Sequence, residues 1–210
     1  MTKSNIENSI AIAKPNKEEQ LRYSFWFIDT KKFWILSFLT CGIYPCYWTF
    51  KQWKHFRDRA LAGNEIYPSD KLIKPFWSLI FGLFYLIGTA KRVRDRAKNL
   101  QMPKSSTGPW WAFWIVMFSG SIPSIIQPSE NLALNFIRFE LVIIGIFIQT
   151  WQFVRIQKKA NKILIREGFL PSAEQLRYTF IDGLLIASGI CAWLVTASLN
   201  IFMKPSTFGL

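Results

Sequence analysis

Residues 33–50 (FWILSFLTCGIYPCYWTF) form an apolar, aromatic run with a basic residue at each end, Lys32 before it and Lys51 after it. A run this long and apolar is typical of a membrane-embedded segment rather than of a strand in a soluble core. A membrane-spanning helix usually leaves its positive charge on one side only. This run is also interrupted by Gly42 and Pro45, which predicts a broken helix.

Four further apolar runs, at residues 75–90, 110–126, 136–154 and 178–203, place the chain in the class of membrane proteins. Half of the 210 residues are apolar and 17% are aromatic, which is more than a soluble core of this size requires. No segment alternates apolar and polar residues as a strand does. We therefore predict an all-α, polytopic helical membrane protein.

Positive charge is distributed unevenly among the connections between these runs. Residues 1–32, 51–74, 91–109 and 155–177 each contain six Lys or Arg, whereas residues 127–135 contain none. Because Lys and Arg stay preferentially in the cytoplasm, we expect the four basic regions to be cytoplasmic. On this assignment the last three runs cross an inner membrane, the N-terminus lies inside and the C-terminus lies outside.

The first two runs then begin and end on the same side, as two short re-entrant or interfacial aromatic helices. The alternative is that both cross the membrane and place residues 51–74 outside. We divide the chain into a disordered tail at 1–20, an aromatic and basic two-segment module at 21–101, and a three-helix transmembrane part at 102–210. This last part contains the basic cytoplasmic loop 155–177.

The net charge of +13 predicts an anionic partner. Since the basic residues cluster where apolar runs end, we expect this partner to be the headgroups of anionic lipids and not nucleic acid. The sequence Arg-Asp-Arg-Ala occurs at 57–60 and again at 94–97, either by similarity of composition or as a repeated unit in which each Asp pairs with a neighbouring Arg. The cations expected to contact headgroups are Lys51, Lys54, Arg57, Arg59, Lys91, Arg92, Arg94, Arg96, Arg155, Lys158 and Lys159.

Ionisable and amide side chains inside the apolar runs are candidates for an intramembrane site. Arg138 and Glu140 lie near the start of the fourth run, where they anchor the helix at the interface or contribute to a polar site. A polar seam could be formed by Gln149, Thr150, Gln152, Asp182 and Asn200. In the last run Gly183, Ala187 and Cys191 recur every four positions and predict close packing against another helix of this chain, or else a homo-oligomer contact.

The sequence contains no motif with catalytic or metal-binding spacing. His55 is the only histidine, and its neighbours Lys54 and Arg57 repel cations, so we interpret it as an aromatic residue of an amphipathic helix. We expect no enzyme activity, no metal and no cofactor.

The first apolar run and its flanks contain a pattern of spaced residues: Lys32-Phe33, Leu36-Ser37, Thr40, Gly42-Ile43-Tyr44, Tyr47-Trp48, Lys51 and Trp53. This pattern resembles a family of small bacterial membrane proteins that is catalogued as a domain of unknown function. A second apolar run that opens near Trp77 and closes on Arg92 is also similar, as is the segment 153–161. The resemblance implies a bacterial inner-membrane protein and carries no activity.

Two functions are compatible with this sequence. The first is a non-enzymatic, membrane-embedded scaffold that interacts with anionic lipid or binds a membrane-protein partner. The second is a small transporter or channel that uses the break at Gly42 and Pro45 together with the polar seam. We favour the scaffold, because five apolar runs with few buried charges give little basis for coupled transport.

Overall fold

The structure, a computed structural model, describes five stretches of the chain: 21–40, 42–64, 67–103, 108–121 and 131–202. These stretches contain helices and connections but no strand. The prediction of an all-α chain is therefore confirmed for this part of the sequence. The predicted disordered tail at residues 1–20 lies outside the described residues.

The helices follow the apolar runs and their basic extensions. A 3-10 helix, Pro68–Leu72, lies between the second and third α-helices. The α-helices are α1 (Thr30–Leu39), α2 (Tyr44–Leu61), α3 (Trp77–Ile80), α4 (Gly82–Asn99), α5 (Pro109–Ser121), α6 (Leu132–Arg166), α7 (Ala173–Leu176) and α8 (Phe180–Phe202).

The run at residues 33–50 is two helices rather than one. Asp29 caps α1, and its carboxylate accepts hydrogen bonds from two backbone amides of the first turn. α1 ends at Leu39, and Gly42 then adopts a left-handed φ of +81° before Pro45 in the first turn of α2. The predicted break at Gly42 and Pro45 is confirmed.

The chain reverses at this break, so that both ends of the run lie at the same end of the fold. The rings of Phe33 and Trp48 meet with centroids 5.6 Å apart. Further from the break, the backbone of Trp26 exchanges two hydrogen bonds with the side-chain amide of Gln52, at 2.9 and 3.1 Å. Earlier residues of the first arm thus meet later residues of α2. We call residues 30–61 the first hairpin.

The second apolar run is also broken, at Phe81, which separates α3 from α4. Before the break, Pro75 lies beside Lys54 of α2. After it, the indole of Trp53 donates a hydrogen bond to the hydroxyl of Thr89 at 2.9 Å. The residues just before the break at Phe81 and those after it therefore both lie next to the same stretch of α2. α4 continues through its basic second half without a break.

α6 and α8 are the helices, among the described residues, that are long and apolar enough to cross a membrane. The qualifying segments are Ala133–Arg166 and Phe180–Ser198, and only 17% and 11% of their most apolar windows are buried within the fold. A helix in a soluble core would bury most of such a window, so these exposures indicate membrane association. α5 has 13 residues and rises about 20 Å, less than the hydrocarbon thickness of about 30 Å. The prediction of three transmembrane helices is therefore not confirmed.

α8 packs against α1 by a close approach at Gly189. A Cβ atom on this residue would lie 2.3 Å from the carbonyl oxygen of Leu39 and 2.3 Å from the Cα atom of Thr40. Trp193 reinforces the contact, because its indole donates a hydrogen bond to the carbonyl of Phe38 at 2.9 Å and satisfies one carbonyl in the last turn of α1.

The small residues Gly183, Ala187 and Cys191 are exposed, so the prediction that they pack against another helix of this chain is wrong. Gly189 is two positions from both Ala187 and Cys191, which is about 200° around a helix. α1 therefore docks on nearly the opposite side of α8 from the predicted face.

Replacing Gly189 by Ala is expected to destabilise the fold by about 1–3 kcal/mol, because the added methyl group meets backbone atoms of α1. Gly183→Ala is the matched control, since no atom lies within 4 Å of the Cβ position there. Thermal unfolding in detergent, followed by tryptophan fluorescence, should give a lower Tm for Gly189→Ala only. Equal Tm values for the two variants would contradict the close approach.

Candidate functional site

The basic ends of α2, α4 and α6 converge on one carboxylate, that of Glu167. Arg96 of α4 contacts this carboxylate with its Nε atom at 2.7 Å. The charge of Glu167 also acts on Arg59 of α2: burial lowers the pKa of Arg59, and the attraction of Glu167 opposes that shift. Ser24 donates to the same carboxylate from its backbone amide at 2.8 Å and from its hydroxyl. We call this region, which also receives residues 21–29, the basic end.

An amide network in the interior attaches residues 21–29 to the helices. Gln157 of α6 accepts hydrogen bonds from the indole of Trp48 at 2.6 Å and from the amide of Gln52 at 3.1 Å. Its own amide donates to Asn161 at 2.6 Å, and Asn161 donates to the backbone carbonyl of Ile28 at 2.8 Å. Because every member has a partner, these buried amides stabilise the junction instead of destabilising it.

His55 is part of this attachment and not an exposed interfacial residue. It is buried, and its Nε2 atom lies 3.0 Å from the backbone carbonyl of Tyr23. A neutral imidazole protonated at Nε2 donates a hydrogen bond to this carbonyl. Burial lowers the pKa of His55, and the positive charge of Arg59 adds to this effect. Among the described residues, no three His, Cys, Asp or Glu side chains cluster in a way that could hold a metal ion.

Arg92 is enclosed by protein rather than presented to solvent. It makes a two-pronged ion pair with Asp70, at 2.8 and 2.6 Å, and the side chain of Asp70 is only 3% exposed. The guanidinium carbon also lies 4.5–4.8 Å from the ring centroids of Trp53, Phe56 and Tyr67. Arg92 therefore holds α4 and the 3-10 helix against α2.

Within the Arg-Asp-Arg-Ala sequence, each Asp pairs with the Arg before it, as expected if the two copies are a repeated unit. Arg57 and Asp58 are 3.0 Å apart, whereas Arg94 and Asp95 are 3.6 Å apart and more exposed. The second Arg of the later copy, Arg96, contacts Glu167, and the charge of Glu167 also acts on Arg59 of the earlier copy. The repeat thus builds one side of the basic end from two neighbouring helices.

A groove with a volume of about 840 Å³ lies between α4, α5 and α6 at the basic end. Its apolar wall includes Ala90, Val93, Ala112 and Ile156. Asp95 is the one carboxylate that lines it within the described part of the chain. Its cations are Arg94, Lys98, Arg155, Lys158, Lys159 and Lys162.

Gln152 lines the same groove, at the end that faces the apolar part of α6. The side chain is completely buried, yet neither its amide nitrogen nor its oxygen has a hydrogen-bond partner among the described residues. Such a group costs roughly 1–3 kcal/mol unless a ligand or water pairs with it. Buried unpaired amides are rare in folded proteins, which marks this position as a candidate ligand contact.

The predicted headgroup cations thus separate into three groups. Arg57, Arg92 and Arg96 are in ion pairs with Asp58, Asp70 and Glu167, respectively, and Arg59 is half-buried near Glu167. Lys51 lies over the rings of Trp26 and Tyr47, whereas Lys54 and Lys91 are exposed outside the groove. Those that line the groove are Arg94, Arg155, Lys158 and Lys159.

The predicted intramembrane polar residues do not form one site. Asp182 pairs with Lys32 at 2.6 Å, and both side chains are less than 10% exposed. Gln149 instead approaches Gly42 at the tip of the first hairpin, 3.8 Å from the position of its missing Cβ. Arg138 is half-buried with a buried Nε atom and Glu140 is exposed, near the start of α6. Asn200 has a side chain outside the described part.

Sequence reasoning missed Lys98 and Lys162 as groove residues, and the pairing of Lys32 with Asp182. A signal for the first two was present: Lys98 follows Arg94 by four positions, and Lys162 follows Lys158 by four, so each pair shares a helix face. No local pattern links Lys32 to Asp182, which are 150 positions apart.

Comparisons with protein-family models, curated proteins and solved structures find no match to this chain. The family resemblance of the first hairpin and the functions drawn from the sequence therefore stay predictions.

Replacing Arg92 by Gln is expected to destabilise the fold by about 3–5 kcal/mol, because Asp70 would stay buried without its counter-charge. Arg94→Gln is the matched control on the same helix, and its exposed, loose pair should contribute less than about 1 kcal/mol. Thermal unfolding of both variants in detergent measures the difference. A Tm loss of similar size in both would contradict the structural role of Arg92.

Proposed function

We propose that this protein is a non-enzymatic, membrane-embedded scaffold that binds anionic lipid with its basic end. The observation that carries the proposal is the convergence of the basic halves of α2, α4 and α6 at one end of a fold, while α5, α8 and the first part of α6 expose mainly large apolar side chains. Cations close to a membrane surface attract anionic lipid by roughly 1 kcal/mol each. The bacterial inner membrane, a cytoplasmic N-terminus and an external C-terminus are part of the proposal, from the family resemblance and the charge distribution.

The depth of the first hairpin supports a re-entrant arrangement. Lys32 is level with Asp182 of α8, and the turn at Thr40 is level with Gly189. These two α8 positions are seven residues apart, which is about 10 Å along a helix. The hairpin thus extends about a third of the way through a hydrocarbon layer of about 30 Å and returns to the side from which it came.

A transporter or channel receives less support from the contacts. Its polar seam requires Asp182 and the glutamines of α6 to line one path. Asp182 pairs with Lys32, whereas Gln152 faces the groove on the side of α4 and α5.

Cysteine labelling tests the membrane arrangement. In a background where Cys41, Cys46 and Cys191 are replaced by Ser, Asn64→Cys places a thiol in the exposed turn after α2. We expect an impermeant maleimide to label it only after cells are permeabilised, since this connection is proposed to be cytoplasmic. Ala133→Cys, at the start of α6, is the control that should react on intact cells. Reaction of Asn64→Cys on intact cells would exclude the re-entrant arrangement.

Energy transfer from the ten tryptophans to dansyl-labelled lipid in proteoliposomes tests the lipid preference. Dansyl phosphatidylglycerol should quench tryptophan fluorescence more than dansyl phosphatidylcholine, and high salt should reduce the difference. Equal quenching by both lipids in the unmodified protein would refute the proposal.

A further inference from the structure

We propose that the groove between α4, α5 and α6 binds one anionic glycerophospholipid, with the phosphate among its cations and an acyl chain along its apolar wall. This inference rests on the proposed function, because it identifies the lipid that the basic end would hold most tightly. It differs from general attraction to the membrane surface in requiring a single, defined site.

The outer half of the groove carries a cluster of ammonium groups. Lys98, Lys158 and Lys162 have no acidic partner among the described residues. Asp95 is already engaged, 3.6 Å from Arg94 and within 3.3 Å of a tyrosine hydroxyl. Ammonium groups gathered without counter-charge repel one another, so a phosphate placed among them is attracted by all of them.

The inner half of the groove has an apolar wall beside Gln152 and Arg155, and this wall favours an amphipathic ligand over a soluble anion. α4 and α6 run in the same direction here, and each changes from apolar to basic along its length. Ala90 and Val93 of α4 therefore lie inward of Lys98, just as Ile156 of α6 lies inward of Lys162. A phosphate ion would use only the outer half, whereas a lipid matches both halves of a groove of about 840 Å³.

Gln152 provides an independent indication that a ligand is bound. It lies on the membrane side of the cationic residues, one turn before Ile156 on the same face of α6. The glycerol esters of a lipid lie at this depth when its phosphate is held further out. The amide of Gln152, completely buried and unpaired, then donates a hydrogen bond to an ester carbonyl.

Native mass spectrometry of the detergent-purified full-length chain, titrated with phosphatidylglycerol or phosphatidylcholine, tests the site. We expect one phosphatidylglycerol to be retained and phosphatidylcholine to be lost. Exchanging Lys98, Lys158 and Lys162 for Gln should weaken retention about a hundredfold, at roughly fivefold per cation. The matched variant, with Lys54, Lys74 and Lys91 exchanged for Gln, has the same change of charge outside the groove and should retain the lipid.

Gln152→Leu keeps the proposal testable if the triple variant fails to fold. It should weaken retention of phosphatidylglycerol about tenfold, while the Tm of the lipid-free protein stays the same or rises, because an unpaired buried amide is removed. A purely structural glutamine would lower the Tm instead.

Three results would overturn the site: equal retention of phosphatidylcholine, equal loss from the two triple variants, or displacement of the lipid by an equal concentration of inorganic phosphate. The last result would indicate a site for a soluble anion. If the groove site is disproved but dansyl phosphatidylglycerol still quenches more than dansyl phosphatidylcholine, the proposed function stands without this site. Loss of the site and loss of the general lipid preference are thus distinguishable.

Discussion

The fold depends on buried side chains that satisfy the backbone of residues 21–29. This segment has no helix or strand of its own, so its amides and carbonyls need partners from elsewhere. The side chain of Gln52 hydrogen-bonds both the amide and the carbonyl of Trp26, while that of Asn161 hydrogen-bonds the carbonyl of Ile28. In the same way, His55 pairs with the carbonyl of Tyr23, and Glu167 pairs with the backbone amide of Ser24. The segment is thus held against α2 and α6 by side chains in the way that a neighbouring strand would hold it.

The amide network also explains why the two helices that carry it stay in register. Gln157 is shared between Trp48 and Gln52, so a shift of α2 along α6 would leave several buried polar groups unpaired together. Each such group costs roughly 1–3 kcal/mol, which is a sizeable part of the free energy of unfolding of a typical domain. The break at Gly42 lets α2 return to this network beside residues 21–29 instead of continuing away from it.

Local features of the fold could be predicted from sequence. The break at Gly42, the end of α6 before Gly168 with its φ of +86°, and the Asp–Arg pairs of the repeat each depend on residues a few positions apart. Long-range features could not, because helix periodicity identifies a face but not its neighbour. The role of Arg92 therefore needed the position of Asp70. Likewise, Lys32 counts among the cations of the basic region 1–32 in the sequence, and only the fold shows that Asp182 neutralises its charge.

The uninterrupted course of α6 has a mechanical consequence. Its 35 residues rise about 52 Å, so the part beyond a hydrocarbon layer of about 30 Å is a rigid continuation of the part within it. Helices adjust to thinner or thicker bilayers chiefly by tilting. A tilt of α6 would be transmitted without a hinge to the wall that it contributes to the groove. The width of the groove, and with it the occupancy of any ligand there, would then report the thickness of the surrounding membrane.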